Sequence, residues 1–351
     1  MLAVLCLAAA VSAQSGRIKP TPTPTPRTIA GPSVSVLPGD VTDTGKPKPK
    51  PTPTPKTKSD PDDVIKVDAA LVPIPVSVLD STGRAMTGLK LADFELRIDG
   101  KPAEIGDVTR SESPIRLAML FDNSSSEMIA RDFEKNAAER FFGRVIRPER
   151  DMAALFSVSD FTRLEQPLTR DVSLLTRAIE LFPEPHGATA LLDGIVKVAE
   201  YLRSANGRRV IVIVSDGEDT YSEMQTTLEV VVESLQKNDC QVFVVKTKDF
   251  ENFKRTGERA GNANIRSLTA ERRMIELAAQ TGGAVYSPID EREMKDAFDQ
   301  ISAELSQQYI LSYYPENDGD KGGEFRTITV GVKAKQNLTI RTRKGYYVPK
   351  R

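Results

Sequence analysis

The chain has 351 residues and a formal net charge of −1, so no global field directs it towards nucleic acid or acidic membranes. Its length exceeds one ordinary core, and 39% hydrophobic residues suit a soluble globular protein with two domains and tails. Two cysteines, Cys6 and Cys240, rule out a disulfide-stapled scaffold.

The first segment, Met1 to Ala13, is apolar and is followed by Gln14-Ser15-Gly16. Spanning a bilayer takes about 20 apolar residues, so this stretch is too short for a transmembrane helix. Val11-Ser12-Ala13 has the small-x-small form of a signal-peptidase site, although no basic n-region precedes it. Residues 1–13 are therefore expected to be a signal peptide, which places the protein outside the cytoplasm, secreted or in the periplasm or cell envelope. Cleavage would remove Cys6 and leave no transmembrane segment in the mature chain. Cys240 lies in an apolar run and is expected to be a buried, inert thiol.

Residues 14–62 are Pro-, Thr- and Lys-rich, with Thr and Pro alternating from Pro20 to Pro26 and lysines added between Lys46 and Lys58. Proline at every second position removes backbone donors and favours polyproline II, so this reads as a disordered, semi-rigid spacer. From Asp63 the pattern becomes β: Val64 to Asp80 and Phe94 to Ile98 are strand candidates, with turns at Ser81-Thr82-Gly83 and Asp99-Gly100-Lys101. No helical period is visible before about residue 114.

Between residues 114 and 306, strands and helices alternate. The strand candidates are Leu117–Phe121, Met152–Val158, Val210–Val214, Gln241–Val245 and Ala284–Tyr286. Helical patterns occupy Ile129–Phe142, Leu174–Leu181, Leu191–Leu202, Thr226–Leu235, Ala270–Ala279 and Glu293–Leu305. Short apolar strands alternating with amphipathic helices predict an α/β fold, a doubly wound, mostly parallel sheet with helices on both faces. Lys248 to Arg266, charged and containing Gly and Asn, reads as a surface loop. After Gln308 three further strand candidates follow: Tyr309–Tyr314, Arg326–Val332 and Leu338–Thr342. Segments 63–113 and 307–351 are expected to join into one small β module, with the α/β domain of residues 114–306 inserted in it.

Three pieces of sequence carry chemistry. Asp122, Ser124 and Ser126 form D-x-S-x-S directly after the first α/β strand. Thr189 follows Gly187-Ala188, and Asp216 lies in Ser215-Asp216-Gly217 at the end of another strand. Ligands of open α/β sheets sit beyond the carboxyl ends of the strands, where strand order reverses. Two carboxylates and three hydroxyls are small, hard oxygen donors of the kind a divalent cation takes; Mg²⁺ wants six at about 2.0–2.1 Å and usually keeps waters. Hydroxyl ligands leave the ion's charge largely unquenched, and an open position can accept an incoming carboxylate. Each piece also has an ordinary use: Asp and Ser cap helices, and Asp-Gly makes turns.

Taken together, these residues resemble the von Willebrand factor type A (VWA) domain, the fold that also forms the ligand-binding I domain of integrins. That family's metal-ion-dependent adhesion site pairs D-x-S-x-S with a Thr on a second loop and an Asp on a third. The resemblance implies that Asp122, Ser124, Ser126, Thr189 and Asp216 hold a divalent cation, Mg²⁺ first, with Mn²⁺ or Ca²⁺ as alternatives. It also implies a protein partner that presents an Asp or Glu carboxylate to the ion; relatives of this fold can couple the site to a shift of the last helix, here Glu293–Leu305. The flanking β segments resemble a subgroup of secreted bacterial proteins with the same arrangement. Glu127 is a departure, since many relatives carry Met there.

The expected function is an adhesion-type, protein-binding module and not an enzyme. Two alternatives stay open: a structural cell-envelope scaffold with a vestigial site, and a metal-assisted hydrolase, for which no general base is evident. His186, the single histidine, has no G-x-S-x-G elbow to serve and reads as a solvated loop residue near the metal face. No phosphate loop, CxxC pair or HExxH occurs, and no basic patch with interleaved aromatics points to nucleic acid.

Overall fold

The computed structural model describes residues 71–348 except 111–112, 129–130, 259–263, 316–321 and 334–336. The expected signal peptide and Pro-rich spacer lie outside the described residues. The described residues belong to one compact unit, Ile65–Arg351.

Alternation builds the first strands. In β1 (Val72–Leu79), Val72, Ile74, Val76 and Val78 turn inwards, and in β2 (Phe94–Ile98) Phe94, Leu96 and Ile98 do the same. β2 returns directly into β3 (Lys101–Ala103) through Asp99 and Gly100, whose φ values are 49° and 75°. Positive φ at both central positions is the primed turn that matches strand twist, and glycine adopts it without penalty. β4 (Asp107–Arg110) completes the N-terminal flank.

The α/β part follows in chain order: β5 (Ile115–Asp122), α1 (Arg131–Val145), β6 (Met152–Val158), β7 (Thr162–Thr169), α2 (Val172–Glu180), α3 (Leu191–Leu202) and β8 (Arg208–Ser215). It continues with α4 (Leu228–Lys237), β9 (Cys240–Lys246), α5 (Lys248–Thr256), α6 (Ile265–Thr281), β10 (Val285–Tyr286) and α7 (Glu291–Gln307). The sheet order is β10-β9-β8-β5-β6-β7, parallel except for the antiparallel edge strand β7. β5 sits centrally, and Leu117 to Phe121 are wholly buried because both sheet faces are covered. Phe141, Ile179, Phe298 and Ile301 from α1, α2 and α7 cover one face; Ile195, Val231 and Leu277 from α3, α4 and α6 cover the other. The doubly wound architecture is as expected.

Local chemistry starts these helices where they start. Asp171, Asn264 and Asp290 each accept a backbone N–H of the first turn of α2, α6 and α7, at 2.9, 2.8 and 2.7 Å. One expectation fails: Lys248 to Thr256 is helix α5, not loop, and α6 already begins at Ile265. The reason is tertiary. Phe250 is fully buried in the α1/α7 face, and this anchor organises a stretch whose other side chains are mostly charged.

The C-terminal flank supplies β11 (Tyr309–Tyr313), β12 (Phe325–Val332), β13 (Thr339–Thr342) and β14 (Gly345–Tyr347). They interleave with the N-terminal strands in two antiparallel sheets, β13-β1-β11-β4 and β14-β12-β2-β3. A single cluster containing Ile74, Val76, Phe94, Leu96, Leu311 and Ile328 fills the space between. Flanks distant in sequence thus make one β module around the inserted α/β part. The junction is polar: Arg341 pairs with buried Glu304 at 2.7 Å, and Gln308 donates to Ser77 at 2.9 Å.

Candidate metal centre

After β5 the chain crosses to β6 on one side and later to β8 on the other, so strand order reverses between β5 and β8. Asp122 is the last residue of β5 and Asp216 the first after β8, which places both carboxylates at that reversal. Both are buried. Asp122 is fixed through both oxygens: the Ser124 N–H donates to one at 2.9 Å, and the Ser215 hydroxyl donates to the other at 2.6 Å. Ser215 Oγ also accepts the Gly217 N–H at 2.9 Å, and the Glu218 N–H reaches Asp216 Oδ1 at 2.9 Å. Asp216 Oδ2 faces the Lys248 ammonium at 3.3 Å.

The turn after β5 is held from below by Arg131. Its guanidinium donates to the Asp122 carbonyl at 3.1 Å and to the Asn123 side chain, and it lies over the rings of Phe121 and Phe182. The Ser124 and Ser126 hydroxyls meet at 3.1 Å. Ser124 is buried and Ser126 exposed, so this pair runs from the interior to the surface.

The loop carrying Thr189 is stitched to both neighbours. His186 N–H donates to Asn123 O at 2.9 Å, and Ser125 donates its N–H and hydroxyl to Gly187 O at 3.3 and 3.2 Å. On the other side Thr189 O accepts from Thr220 and Tyr221 N–H at 2.9 and 3.0 Å, while its own N–H donates to Thr220 Oγ1 at 3.0 Å. Gly187 makes this route possible. Its φ is +78°, and a Cβ there would stand 2.6 Å from the Asp160 carboxylate, which accepts the Ala188 N–H. His186 itself is exposed, its Nδ1 2.9 Å from Glu184 O.

The three loops predicted to carry the site therefore meet at one rim, with Asp122, Ser124, Ser126, Thr189 and Asp216 upon them. Among the described residues no group of three or more His, Cys, Asp or Glu could hold a metal ion. An ion at this rim would depend on hydroxyl oxygens beside the two carboxylates, the hard donor set suited to Mg²⁺. The electrostatics fit such an ion. Burial, and then the negative charge of Asp216, push the Asp122 carboxyl up to about 6. A divalent cation would relieve that repulsion.

Sequence reasoning missed three residues around this rim. Ser215 locks Asp122. For Lys248, burial opposes the charge, but the Asp216 and Glu218 carboxylates outweigh it and hold the ammonium above the usual lysine value. Glu251, on α5, is 7% exposed, and its Oε1 has no hydrogen-bond partner among the described residues. Burial, then Asp216, with Asp122 adding, push its carboxyl up to about 7. Only a signal for α5 as a helix would have revealed Lys248 and Glu251, and the charged stretch gives none.

No curated protein sequence matches the chain. Among similar solved structures, a minor pilin, PilB of Streptococcus sanguinis, has TM-score 0.43 and 12% identity over 57% of this chain and 63% of the pilin. The conserved hypothetical protein BatB of Bacteroides thetaiotaomicron has TM-score 0.41 and 14% identity over 54% and 97%. A von Willebrand factor type A protein of Catenulispora acidiphila has TM-score 0.44 and 9% identity over 81% and 75%. The chain thus spans less than two thirds of the pilin's length. The family model of the von Willebrand factor type A domain matches residues 117–300, more than half of the chain and the whole rim from β5 to α6, and the chain belongs to that family.

Proposed function

We propose that the chain is a protein-binding module of the adhesion type, without catalysis of its own, working outside the cytoplasm. Domains of this family are generally protein-interaction modules. The observation that carries the finer reading is the pairing of two buried carboxylates, Asp122 and Asp216, at the reversal of strand order, with Ser124, Ser126 and Thr189 on the adjoining loops.

In this reading those five side chains hold a divalent cation, most simply Mg²⁺. Bound there, the ion would supply an electrophilic point for a partner's Asp or Glu carboxylate. The chain's own residues prepare it. Ser215 orients Asp122, Arg131 fixes the backbone of its turn, and Gly187 lets the Thr189 loop close over both. Two exposed apolar side chains stand on segments bonded to the Thr189 loop: Phe161 is 58% exposed and Tyr221 62%. The Ser159–Phe161 turn accepts the Ala190 N–H and Tyr221 donates to Thr189, so this exposed apolar surface adjoins the candidate centre. Such patches mark interaction sites.

The location outside the cytoplasm rests on the apolar N-terminal segment and its small-x-small end. Among the described residues no helix is long and apolar enough to cross a membrane.

Calorimetric titration with Mg²⁺ and Mn²⁺, followed by affinity capture from cell envelopes with and without EDTA, tests the reading. Saturable ion binding that Asp122→Ala abolishes, together with chelator-sensitive capture, supports it. Capture that survives both EDTA and Asp122→Ala removes the metal bridge.

A further inference from the structure

Strand register brings the start of helix α5 to the carboxylate rim. Ser215, at the end of β8, pairs with Lys246 of β9, and the buried Thr247 donates its N–H to Ser215 O at 3.1 Å. The next residue, Lys248, opens α5 and reaches Asp216, whose side chain is only 1% exposed. Asp216 Oδ1 accepts the Glu218 N–H at 2.9 Å, and Oδ2 carries the Lys248 ammonium at 3.3 Å. The same ammonium lies 3.2 Å from Glu218 Oε1.

One ammonium is thus shared by two carboxylates in different surroundings. Asp216 is buried in the rim, whereas the Glu218 side chain is partly exposed and also accepts the Ser267 hydroxyl at 3.4 Å. A third carboxylate stands near. Glu251 follows Lys248 by three residues, so the two lie on one side of α5. Glu251 is buried, and its Oε1 has no hydrogen-bond partner among the described residues. A buried acceptor left so is costly, and an ammonium is a donor that satisfies it. The flexible four-carbon stem of a lysine lets the ammonium turn between such oxygens while the backbone stays still.

We propose that Lys248 is a tethered cation that holds the Asp216 carboxylate in the ion-free chain and yields it, turning to Glu218 and Glu251, when a divalent ion binds the rim. The inference rests on the metal reading given above and goes beyond it: Lys248 is a positioning residue that sets how tightly an ion is held. An ammonium and a divalent ion at one carboxylate repel each other and draw on the same charge. Without Lys248 the Asp216 charge, buried at the rim with Asp122, would lack that counter-ion, and a buried carboxylate deprived of its partner is destabilising. With Lys248 in place the rim folds before any ion arrives, and ion binding is correspondingly weaker.

Mg²⁺ titrated calorimetrically at constant ionic strength into the full chain, and into its Lys248→Met, Lys248→Gln, Lys248→Arg and Lys254→Met variants, tests it. Lys248→Met and Lys248→Gln are expected to bind Mg²⁺ about tenfold more tightly than the unaltered chain. Lys248→Arg keeps a cation against Asp216 and should stay within about threefold of the unaltered chain. Lys254→Met removes a charge of the same helix that pairs with Glu291 instead, and should change affinity by less than about twofold. Side-chain NMR signals of Lys248 in the unaltered chain should shift with the midpoint that calorimetry gives, a readout that stands even if the variants fail to fold. Binding seen only after Lys248→Met or Lys248→Gln also supports the proposal. Unchanged or weaker binding by those two variants, equal tightening by Lys248→Arg or Lys254→Met, or Lys248 signals that bound Mg²⁺ leaves unmoved overturns it while the metal reading stands. Absence of Mg²⁺ binding by the unaltered chain and by every Lys248 variant removes the metal reading itself, and the proposal with it.

Discussion

The two ends of the central sheet use charge in opposite ways. At the carboxyl ends of β5 and β8, buried carboxylates and hydroxyls converge, with Lys248 as the cation touching Asp216. At the amino ends of β8 and β9 the charged side chains are arginines: Arg209 is held by the Ala205 and Asn238 carbonyls, and Arg343 by the Pro73 carbonyl and the Asp239 carboxylate. The same parallel strands therefore carry carboxylates and hydroxyls at one end and arginines at the other. Parallel order makes this possible, because each crossover helix returns the chain so that like ends of the strands lie side by side.

The largest expected effect lies at the arginine end. Burial holds Cys240 as a thiol at about 12. As pH rises from about 7 to 9 its alkylation in the folded protein should stay about a thousandfold slower than that of an unperturbed cysteine, since the thiolate is the reactive form. Peptide mass spectrometry reads this, and an ordinary rate would show that the thiol is not enclosed. At the other end, Asp122→Ala should weaken Mg²⁺ binding by more than about 100-fold, and Ser215→Ala, which frees only the orientation of Asp122, by about 10- to 100-fold. Calorimetry that ranks Ser215→Ala as the more damaging would reverse the roles assigned to them. Gly187→Ala should cost about 1–3 kcal/mol in denaturant unfolding, because a positive φ and the Asp160 carboxylate both oppose a Cβ. Gly100→Ala, in the β2–β3 turn and remote from both ends, should cost only about 1 kcal/mol and leave ion binding intact.

What sequence could reveal follows the same division. Strands β5, β6, β8 and β9 are continuous apolar runs because both their faces are buried, so they are plain in the sequence. Strand β7 was missed: Thr162 to Thr169 is polar and contains Pro167, as an edge strand with one unpaired side tolerates. Strands β3 and β4 are too short and exposed to carry a pattern. The five rim residues are legible because their types and spacing are a motif. Ser215 carries no signal in the sequence that sets it apart from other strand-end serines, and Lys248 and Glu251 lie in a charged stretch that α5 folds against the rim. The arginine end has no local signature at all. Arg209 and Arg343, both beside Asp239, come together only because the β module closes around the inserted domain.

That closure sets an order of events in folding. Val72 and Val76 of β1 pair with Tyr313 and Tyr309 of β11, and Val76 also with Thr342 of β13, partners more than two hundred residues downstream. During synthesis β1 and β2 leave the ribosome long before these partners exist, while the inserted domain can close through shorter loops. The β module is thus the last part to assemble, and the cavity lined by Pro73, Ile310 and Arg343 forms only after β11 and β13 have been made.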